Sequence, residues 1–190
     1  GKEFIQYKND PNDPESISDD NIWEIYEDSY KNLWIGTLSG GLELFDRGRN
    51  QFIHYKLGGI NSIHSNYISS ILEDTDGNLW IGTSDGVDVW EKTSGTILHY
   101  VHKEKDTTTI CNNNILSILQ DKKGDMWIGT SEGLNLLNKD RKVVKVFTRE
   151  DGLPHNSILT ILEDNKGNLW ISTPKGLSNL IVSQNADESY

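Results

Sequence analysis

The sequence is poor in the residues on which several classes of protein depend. Cys111 is its only cysteine, which excludes an intrachain disulfide framework and a cysteine metal cluster. No run of about 18 apolar residues occurs, so no segment is predicted to span a membrane. The 18 Lys and Arg are outnumbered by 29 Asp and Glu, and the net charge is −11. This charge argues against a nucleic-acid backbone or an anionic membrane surface as the main partner.

Recognisable catalytic and metal-binding motifs are also missing. The sequence has no nucleophile elbow, no phosphate-binding glycine loop and no zinc motif, and its five histidines show no metal-ligand spacing. We therefore predict no catalytic residue, no metal and no cofactor. The chain begins at Gly1 without an apolar signal segment, which suggests a part of a longer protein.

The sequence does contain one motif that is repeated four times. At residues 73–87 it reads Glu-Asp-Thr-Asp-Gly-Asn-Leu-Trp-Ile-Gly-Thr-Ser-Asp-Gly-Val. Its tryptophan recurs at intervals of 46 (34 to 80), 47 (80 to 127) and 43 residues (127 to 170). A period of roughly 40–50 residues made of short strands predicts the blades of a propeller.

Each unit predicts four short strands and no helix. In the second unit these strands are residues 68–72, 79–83, 87–90 and 97–100, and the other units have counterparts. Runs such as residues 79–81, Leu-Trp-Ile, are apolar without alternation, which indicates a strand buried on both faces. Blades packed against each other produce that pattern, whereas a two-sheet sandwich would alternate apolar and polar residues.

We therefore predict an all-β fold, a β-propeller segment of four-stranded antiparallel blades over residues 1–190. The blades are predicted at approximately residues 18–55, 64–100, 111–147 and 154–182, with a strand at residues 4–7 that completes a blade. Four blades are expected to be part of a larger propeller or to assemble into one, because an open arc exposes apolar faces at both ends.

The residues that recur in every unit are predicted to serve the fold. An aspartate six residues before each tryptophan can accept hydrogen bonds from turn amides. A calcium loop at residues 74–78 is disfavoured because the equivalent loop at 121–125 contains two lysines. Glycine after each Trp-Ile pair, replaced by Ser172 in the last unit, indicates a limit on side-chain size beside a neighbouring sheet. The repeated tryptophans are predicted to be core residues.

Candidate binding residues therefore come from the parts that differ between units. Strand order places the loop before each first strand and the loop after each second strand at the same end of a blade. Four polar residues just before the first strands are predicted to ring the channel entrance and to bind a hydroxyl-rich ligand, with capping of the strands as the alternative. They are Asp20, Asn66, Asn113 and Asn156. Trp23 and His155, both close to variable loops, complete the candidate set.

The repeated unit resembles the two-component regulator propeller repeat. Residues 66–87 and 156–177 carry the pattern Asn-x-Ile-x-x-Ile-x-Glu-Asp-x-x-Gly-Asn-Leu-Trp-Ile-Gly-Thr-x-x-Gly-Leu nearly whole, and residues 20–42 and 113–134 carry it with substitutions. The resemblance implies the periplasmic sensor region of a Bacteroides-type hybrid histidine kinase, a group that commonly senses oligosaccharides released from glycans. The repeat specifies blades, so no ligand-binding residue is transferred with it.

The resemblance thus implies a non-catalytic segment of a periplasmic receptor with an oligosaccharide ligand. Self-association is expected as well, either as paired arcs or as a receptor dimer, and membrane attachment is expected only through other parts of the parent chain. Two alternatives stay open. One is a propeller enzyme of the streptogramin-lyase type, in which His155 and nearby acids such as Glu150 and Asp151 transfer protons. The other is a purely structural interaction module.

Overall fold

The chain forms four antiparallel β-sheets in a computed structural model that describes residues 1–58 and 62–181. Within those residues there are fifteen strands. In chain order they are β1 Ile22–Glu27, β2 Leu33–Thr37, β3 Leu42–Asp46, β4 Gln51–Tyr55, β5 Ile68–Glu73, β6 Leu79–Thr83, β7 Gly86–Trp90, β8 Ile97–Tyr100, β9 Ile115–Gln120, β10 Met126–Thr130, β11 Leu134–Leu137, β12 Val143–Phe147, β13 Thr160–Glu163, β14 Leu169–Thr173 and β15 Gly176–Leu180.

The strands of each sheet are ordered as they occur in the chain. Blade 1 is β1-β2-β3-β4, blade 2 is β5-β6-β7-β8, blade 3 is β9-β10-β11-β12, and blade 4 is β13-β14-β15. The first strands of successive sheets pack against one another, β1 on β5, β5 on β9 and β9 on β13. Sheets that meander outwards and meet through their first strands are propeller blades. The predicted all-β propeller architecture is confirmed.

The middle strands are buried because both faces of a blade are covered. All five residues of β6 and of β10 are buried, as the uninterrupted apolar sequence predicts. Trp80 and Trp127 are 2% and 4% exposed, whereas the equivalent Trp170 in blade 4 is 37% exposed. The repeated tryptophan of the second strand is therefore a core residue wherever another blade follows within the described residues.

The apolar core lies between blades. Its clusters join the tryptophan of one blade to an isoleucine on the first strand of the next, Trp34 with Ile71 and Trp80 with Ile118. The third boundary has the same composition. The equivalent isoleucine of blade 1, Ile25, is 63% exposed because no described blade covers it. The four blades therefore form an arc with two uncovered ends.

The predicted strand at residues 4–7 pairs with no described strand. Phe4 and Ile5 are exposed, and the ring of Tyr7 packs edge-on against Phe45 and Phe52 of blade 1. This position lies at the opposite end of the arc from blade 4, which has three described strands. Residue 182, the predicted end of the fourth blade, lies outside the described residues.

Helical structure in the described residues is limited to one 3-10 turn at Arg149–Asp151. Thr148 begins this turn, and the carboxylate of Asp151 accepts a hydrogen bond from the Thr148 backbone N–H at 2.9 Å. Among the described residues, no helix has the length and apolar character needed to cross a membrane.

Candidate functional site

Each blade closes its first turn with an aspartate that also holds the tryptophan. In blade 2, Asp74 accepts hydrogen bonds from the backbone N–H of Asp76 at 3.0 Å and of Asn78 at 2.8 Å, and from the indole nitrogen of Trp80 at 2.8 Å. The same indole–carboxylate bond occurs in the other three blades, at 2.9, 2.9 and 3.2 Å. The predicted bonds to turn amides are confirmed, and the bond to tryptophan was missed.

These turn aspartates are structural carboxylates. The backbone N–H of Asn168 is the main cause that lowers the pKa of Asp164 to about 2. Burial opposes ionisation of Asp28, but hydrogen bonds from Trp34 and Asn32 outweigh it, so the pKa of Asp28 is lowered as well. Carboxylate oxygens that accept several N–H groups have few lone pairs left for a cation. This geometry supports the prediction of a hairpin turn at Asp74 instead of a calcium loop.

The predicted polar ring braces the variable loops. Each of its four side chains accepts a hydrogen bond, through its oxygen, from the backbone N–H two residues after an outer strand or, for Asp20, after Tyr7. The four bonds are Leu57 to Asn66 at 2.9 Å, His102 to Asn113 at 2.6 Å, Arg149 to Asn156 at 2.9 Å and Asn9 to Asp20 at 2.8 Å. These oxygens thus hold the variable loops, a structural role that differs from the strand capping given as the alternative. A ligand contact from the three asparagines would use the amide nitrogen.

The ring lies at the same end of the blades as the loops after the second strands. The backbone carbonyls of Asn66 and Asn113 accept hydrogen bonds from Gly41 and Gly86 of the preceding blade, at 3.0 and 2.7 Å. We call this end, made of both sets of loops, the loop face.

A second set of polar residues, which was not predicted from the sequence, holds the loops through hydrogen bonds to side chains of the third strands. Glu43, Asp88 and Asn135 occupy equivalent places on the third strands and are fully buried. Asp88 accepts a hydrogen bond from the backbone N–H of His64 at 2.8 Å, and Asn135 accepts one from Cys111 at 2.8 Å. The sequence signal for them was a single polar residue between two apolar neighbours on β3, β7 and β11.

Histidines take part in two of these anchors. His54 contacts Glu43, and the Nδ1 atoms of His64 and His99 both lie 2.8 Å from Asp88 Oδ1. Burial raises the pKa of Glu43, although hydrogen bonds from Ser18 and His54 oppose that effect. His64, Asp88 and His99 are close enough for a metal ion. However, both Nδ1 atoms are already within hydrogen-bond distance of the same carboxylate oxygen, and the two rings stack on each other at 3.7 Å with planes 14° apart. The geometry favours hydrogen bonding.

The remaining two predicted site residues lie apart. Trp23, on the inner strand of blade 1, is 59% exposed. His155 belongs to the loop of blade 4, where its Nδ1 accepts a hydrogen bond from the backbone N–H of Ser157 at 3.0 Å. Among the hydrogen bonds of the described residues, none joins any two of the six predicted site residues. The structure therefore distributes them over the arc.

A broad, open concavity lies on the loop face of blade 4. It has a volume of about 840 Å³ and includes one predicted site residue, Asn156. Its lining residues are Thr148, Arg149, Glu150, Gly152, Leu153, Pro154 and Asn156. We call it the blade-4 groove. It combines both charge signs, a hydroxyl, an amide and two apolar side chains, which are groups that bind polar organic ligands.

A family profile described as "Two component regulator propeller" matches residues 16–39, 62–85, 109–132 and 152–175. Each of the four segments has 24 residues, so 96 of the 190 residues are matched. Every segment spans the first strand, the aspartate turn and the second strand of one blade. The match therefore covers the repeated frame and the end of the loop that precedes it, while the third and fourth strands of each blade lie outside it.

Solved structures share the fold. One is described as the extracellular domain of the hybrid two-component system BT3049 from B. thetaiotaomicron; it is 27% identical over 90% of this chain, with a TM-score of 0.73. That of BT4673, from the same organism, is 24% identical over 84% of this chain, with a TM-score of 0.72. This chain spans 23% of the length of each. Curated proteins give no significant match.

A virginiamycin B lyase from Staphylococcus aureus also matches, with 14% identity, a TM-score of 0.62, and coverage of 95% of this chain and 60% of the lyase. At that identity the likeness concerns the propeller fold alone.

Proposed function

This chain belongs to the two-component regulator propeller family, and from that membership we propose that it is a non-catalytic, ligand-binding segment of a sensor. Its place is the periplasmic side of a two-component receptor, and its ligand class is an oligosaccharide derived from a glycan. The proposal is supported by structural neighbours that are extracellular domains of hybrid two-component systems. The acidic surface, with a net charge of −11, suits a neutral sugar better than a nucleic acid.

The blade-4 groove is the observation that carries the proposal. Sugars present many hydroxyl groups that both donate and accept hydrogen bonds, so a site for them needs mixed donors and acceptors. Arg149 supplies donors, Glu150 supplies acceptors, and Leu153 and Pro154 supply apolar surface for the faces of the rings. The loop is held open by the Arg149–Asn156 and Thr148–Asp151 hydrogen bonds, so the groove is largely formed before a ligand arrives.

The enzymatic alternative has less support. A lyase-type mechanism needs a histidine within hydrogen-bond reach of an acid. Here His155 Nδ1 accepts a backbone N–H, and the carboxylate of Asp151 is bound by Thr148 and by Lys145 at 3.2 Å. The carboxylate of Asp151 is therefore engaged in holding the loop together.

Calorimetric titration with a panel of neutral and acidic oligosaccharides tests the proposal. We expect one class to bind, and we expect Arg149→Ala to weaken it at least about tenfold because a charged hydrogen-bond donor is lost. Arg49→Ala is the matched control, since Arg49 is an exposed arginine on the β3–β4 turn at the opposite end of blade 1.

Two results would count against the proposal. If no oligosaccharide produces heat or raises the melting temperature of the wild-type chain, the glycan assignment is wrong. If a sugar binds and both arginine variants retain wild-type affinity, the ligand lies elsewhere on the loop face.

A further inference from the structure

Blades 1, 2 and 3 each have a cross-strand pair of residues on the third and fourth strands that contacts the loop of the same blade. The two members lie directly opposite each other, and the third-strand member is fully buried in every case. The pairs are Glu43 with His54, Asp88 with His99, and Asn135 with Val146. Two of the pairs therefore combine an acid with a histidine, whereas the pair of blade 3 contains no group that titrates.

In blade 1 the histidine lies between two hydrogen-bond acceptors. Nδ1 of His54 contacts Oε2 of Glu43, and Nε2 of His54 lies 2.7 Å from the backbone carbonyl oxygen of Pro14. A neutral imidazole has one N–H donor and one acceptor nitrogen, so it cannot donate to both. Either both ring nitrogens carry hydrogen beside an ionised Glu43, or a protonated Glu43 donates to a neutral ring. In both arrangements the pair holds one proton more than an ionised glutamate with a neutral histidine.

The burial of Glu43 favours retention of that proton. The side chain of Glu43 is fully buried, and that of His54 is 24% exposed. Desolvation is the main cause that raises the pKa of Glu43, and it outweighs the hydrogen bonds from Ser18 and His54 and the positive charge of Lys56. A carboxyl group that resists ionisation keeps its proton, or passes it to the histidine that it contacts.

The remaining charged groups near the pair belong to the loop of blade 1, residues 8–20. Asp13 and Glu15 flank Pro14 and are exposed. A hydrogen bond from Ser39 is the main cause that lowers the pKa of Asp19 to about 2. Ordinary carboxylates are ionised above about pH 6. The change of charge expected in this part of the blade at neutral pH is therefore that of the pair itself.

The pair connects the loop to the outer part of the blade. On the loop side its partners are the Pro14 carbonyl and the hydroxyl of Ser18, which contacts Oε1 of Glu43. Between these two residues, the carbonyl of Glu15 accepts a hydrogen bond from the backbone N–H of Phe52 on β4 at 2.9 Å. When the proton leaves, a ring lone pair faces either the Pro14 oxygen or the ionised Glu43, and both contacts are repulsive.

The anchor of blade 2 does not need an additional proton. The Nδ1 atoms of His64 and His99 each lie 2.8 Å from Oδ1 of Asp88. Among the hydrogen bonds of the described residues, none involves the Nε2 atom of either ring. Two neutral histidines that carry their hydrogen on Nδ1 therefore satisfy an ionised Asp88 completely.

We propose that Glu43 and His54 form a proton-dependent latch, which holds residues 14–16 against β4 and releases them when the pair loses its proton. The folded latch needs this proton and the unfolded chain does not. The stability that the latch contributes is therefore present at low pH and is lost as the pH rises. Histidine ordinarily changes its charge between about pH 5 and 8, so the loop of blade 1 is expected to respond near neutral pH.

Amide hydrogen exchange of the 190-residue chain, measured by NMR between about pH 6.0 and 8.5 and corrected for the intrinsic effect of pH, tests the proposal. Phe52 reports the latch because its N–H is bonded to Glu15. Val143 is the matched control, since it is the equivalent residue of blade 3 and its N–H donates to the carbonyl of Thr108 at 3.0 Å. We expect the protection of Phe52 to fall at least about tenfold over this range and that of Val143 to change less than about twofold.

Three variants separate the proton from the other contacts of the loop. In Glu43→Gln the amide N–H can donate to Nδ1 of a neutral His54, whose Nε2–H then donates to Pro14, so Phe52 should be equally protected at both pH values. His54→Val copies Val146 of blade 3 and should leave Phe52 weakly protected at both. His99→Gln removes the equivalent histidine of blade 2 and should keep the wild-type response.

Protection of Val143 in each variant shows that the chain has folded. Constant protection of Phe52 in the wild type, or an equal fall at Phe52 and Val143, would overturn the proposal. A wild-type pH response in Glu43→Gln or in His54→Val would overturn it as well, because the proton would then reside elsewhere. If Glu43→Gln does not fold, the comparison of the wild type with His54→Val decides.

Discussion

At the scale of single residues, the aspartate of each first turn connects three structures. Asp74 closes the turn, fixes the side chain of Asn78 and binds the indole of Trp80. Because Trp80 fills the boundary between blades 2 and 3, one carboxylate links a local turn to the core. The turn can be predicted from the sequence, because the bond from an aspartate side chain to the backbone N–H two residues later joins near neighbours in the chain. The indole bond cannot be predicted in this way, since it depends on how the tryptophan ring is oriented in the folded blade.

The tryptophan that the turn aspartate binds is buried in blade 2 and partly exposed in blade 4. Removing the aspartate is therefore expected to destabilise the two blades to different extents. Asp74→Ala should lower the free energy of unfolding by about 2–4 kcal/mol, since it removes turn hydrogen bonds and leaves a buried indole N–H without its acceptor. Asp164→Ala should cost about 1 kcal/mol, because water can reach the indole of the more exposed Trp170. Urea denaturation of both variants makes the comparison. Equal losses would show that burial of the indole does not set the cost.

The fully buried polar residues of the third strands were the main residue-scale omission. Glu43, Asp88 and Asn135 were given no role from the sequence, because one polar residue between apolar neighbours gives no sign of which face of the strand is covered. The loops fold over that face and supply the hydrogen bonds, such as the His64 N–H to Asp88. A loop contact of this kind joins residues 24 apart and has no local signature.

At the scale of elements, the glycines of the second strands determine how closely sheets pack. The sequence predicts a limit on side-chain size at Gly82, and the structure confirms it, with Ile115 as the residue that approaches. The identity of that neighbour depends on the stagger between two blades, which the repeat pattern does not contain. Ser172 is accommodated because no described blade lies against it.

Gly82→Ala should therefore lower the free energy of unfolding by about 1–3 kcal/mol, because the added methyl group overfills a close-packed boundary. Ser172→Ala, the equivalent position in blade 4, should change it by less than about 0.5 kcal/mol. Combining Gly82→Ala with Ile115→Leu, which removes the approaching Cγ2 branch, should cost less than the sum of the two single changes. Strict additivity in a denaturation double-mutant cycle would contradict the proposed contact.

At the scale of the whole molecule, blades 2 and 3 are covered on both faces and blades 1 and 4 on one. Four blades follow directly from the 46-, 47- and 43-residue intervals. The uncovered ends could not be read from those intervals, because they depend on how far each blade turns relative to the last. The six predicted ligand residues were spread over the arc for the same reason. The groove of blade 4 was not predicted either, because it depends on the backbone geometry of its own loop.

Amide hydrogen exchange should reproduce this arrangement. Proteins assembled from repeats are held together by contacts between neighbours, so a unit with one neighbour opens at lower cost than a unit with two. We expect the amides of β5 and β9 to exchange at least about tenfold more slowly than those of β1 and β13, measured by mass spectrometry at low protein concentration. Uniform protection across all four first strands would show that the arc opens only as a whole.

The hydrogen bonds from Ser29 to Glu73, Thr75 to Gln120 and Lys122 to Glu163 all run from the turn of one blade to the first strand of the next. This direction bears on how such a chain can change length. The first turn of a unit offers an acceptor to the blade before it and, two residues later, a donor to the blade after it, so a gene duplication or loss of one entire period of about 46 residues leaves each donor facing an acceptor. An exchange at the same phase of any two units has the same property. Recombination within this repeat can therefore yield propellers of different blade number without inventing a new boundary, and the loops carried by each unit travel with it.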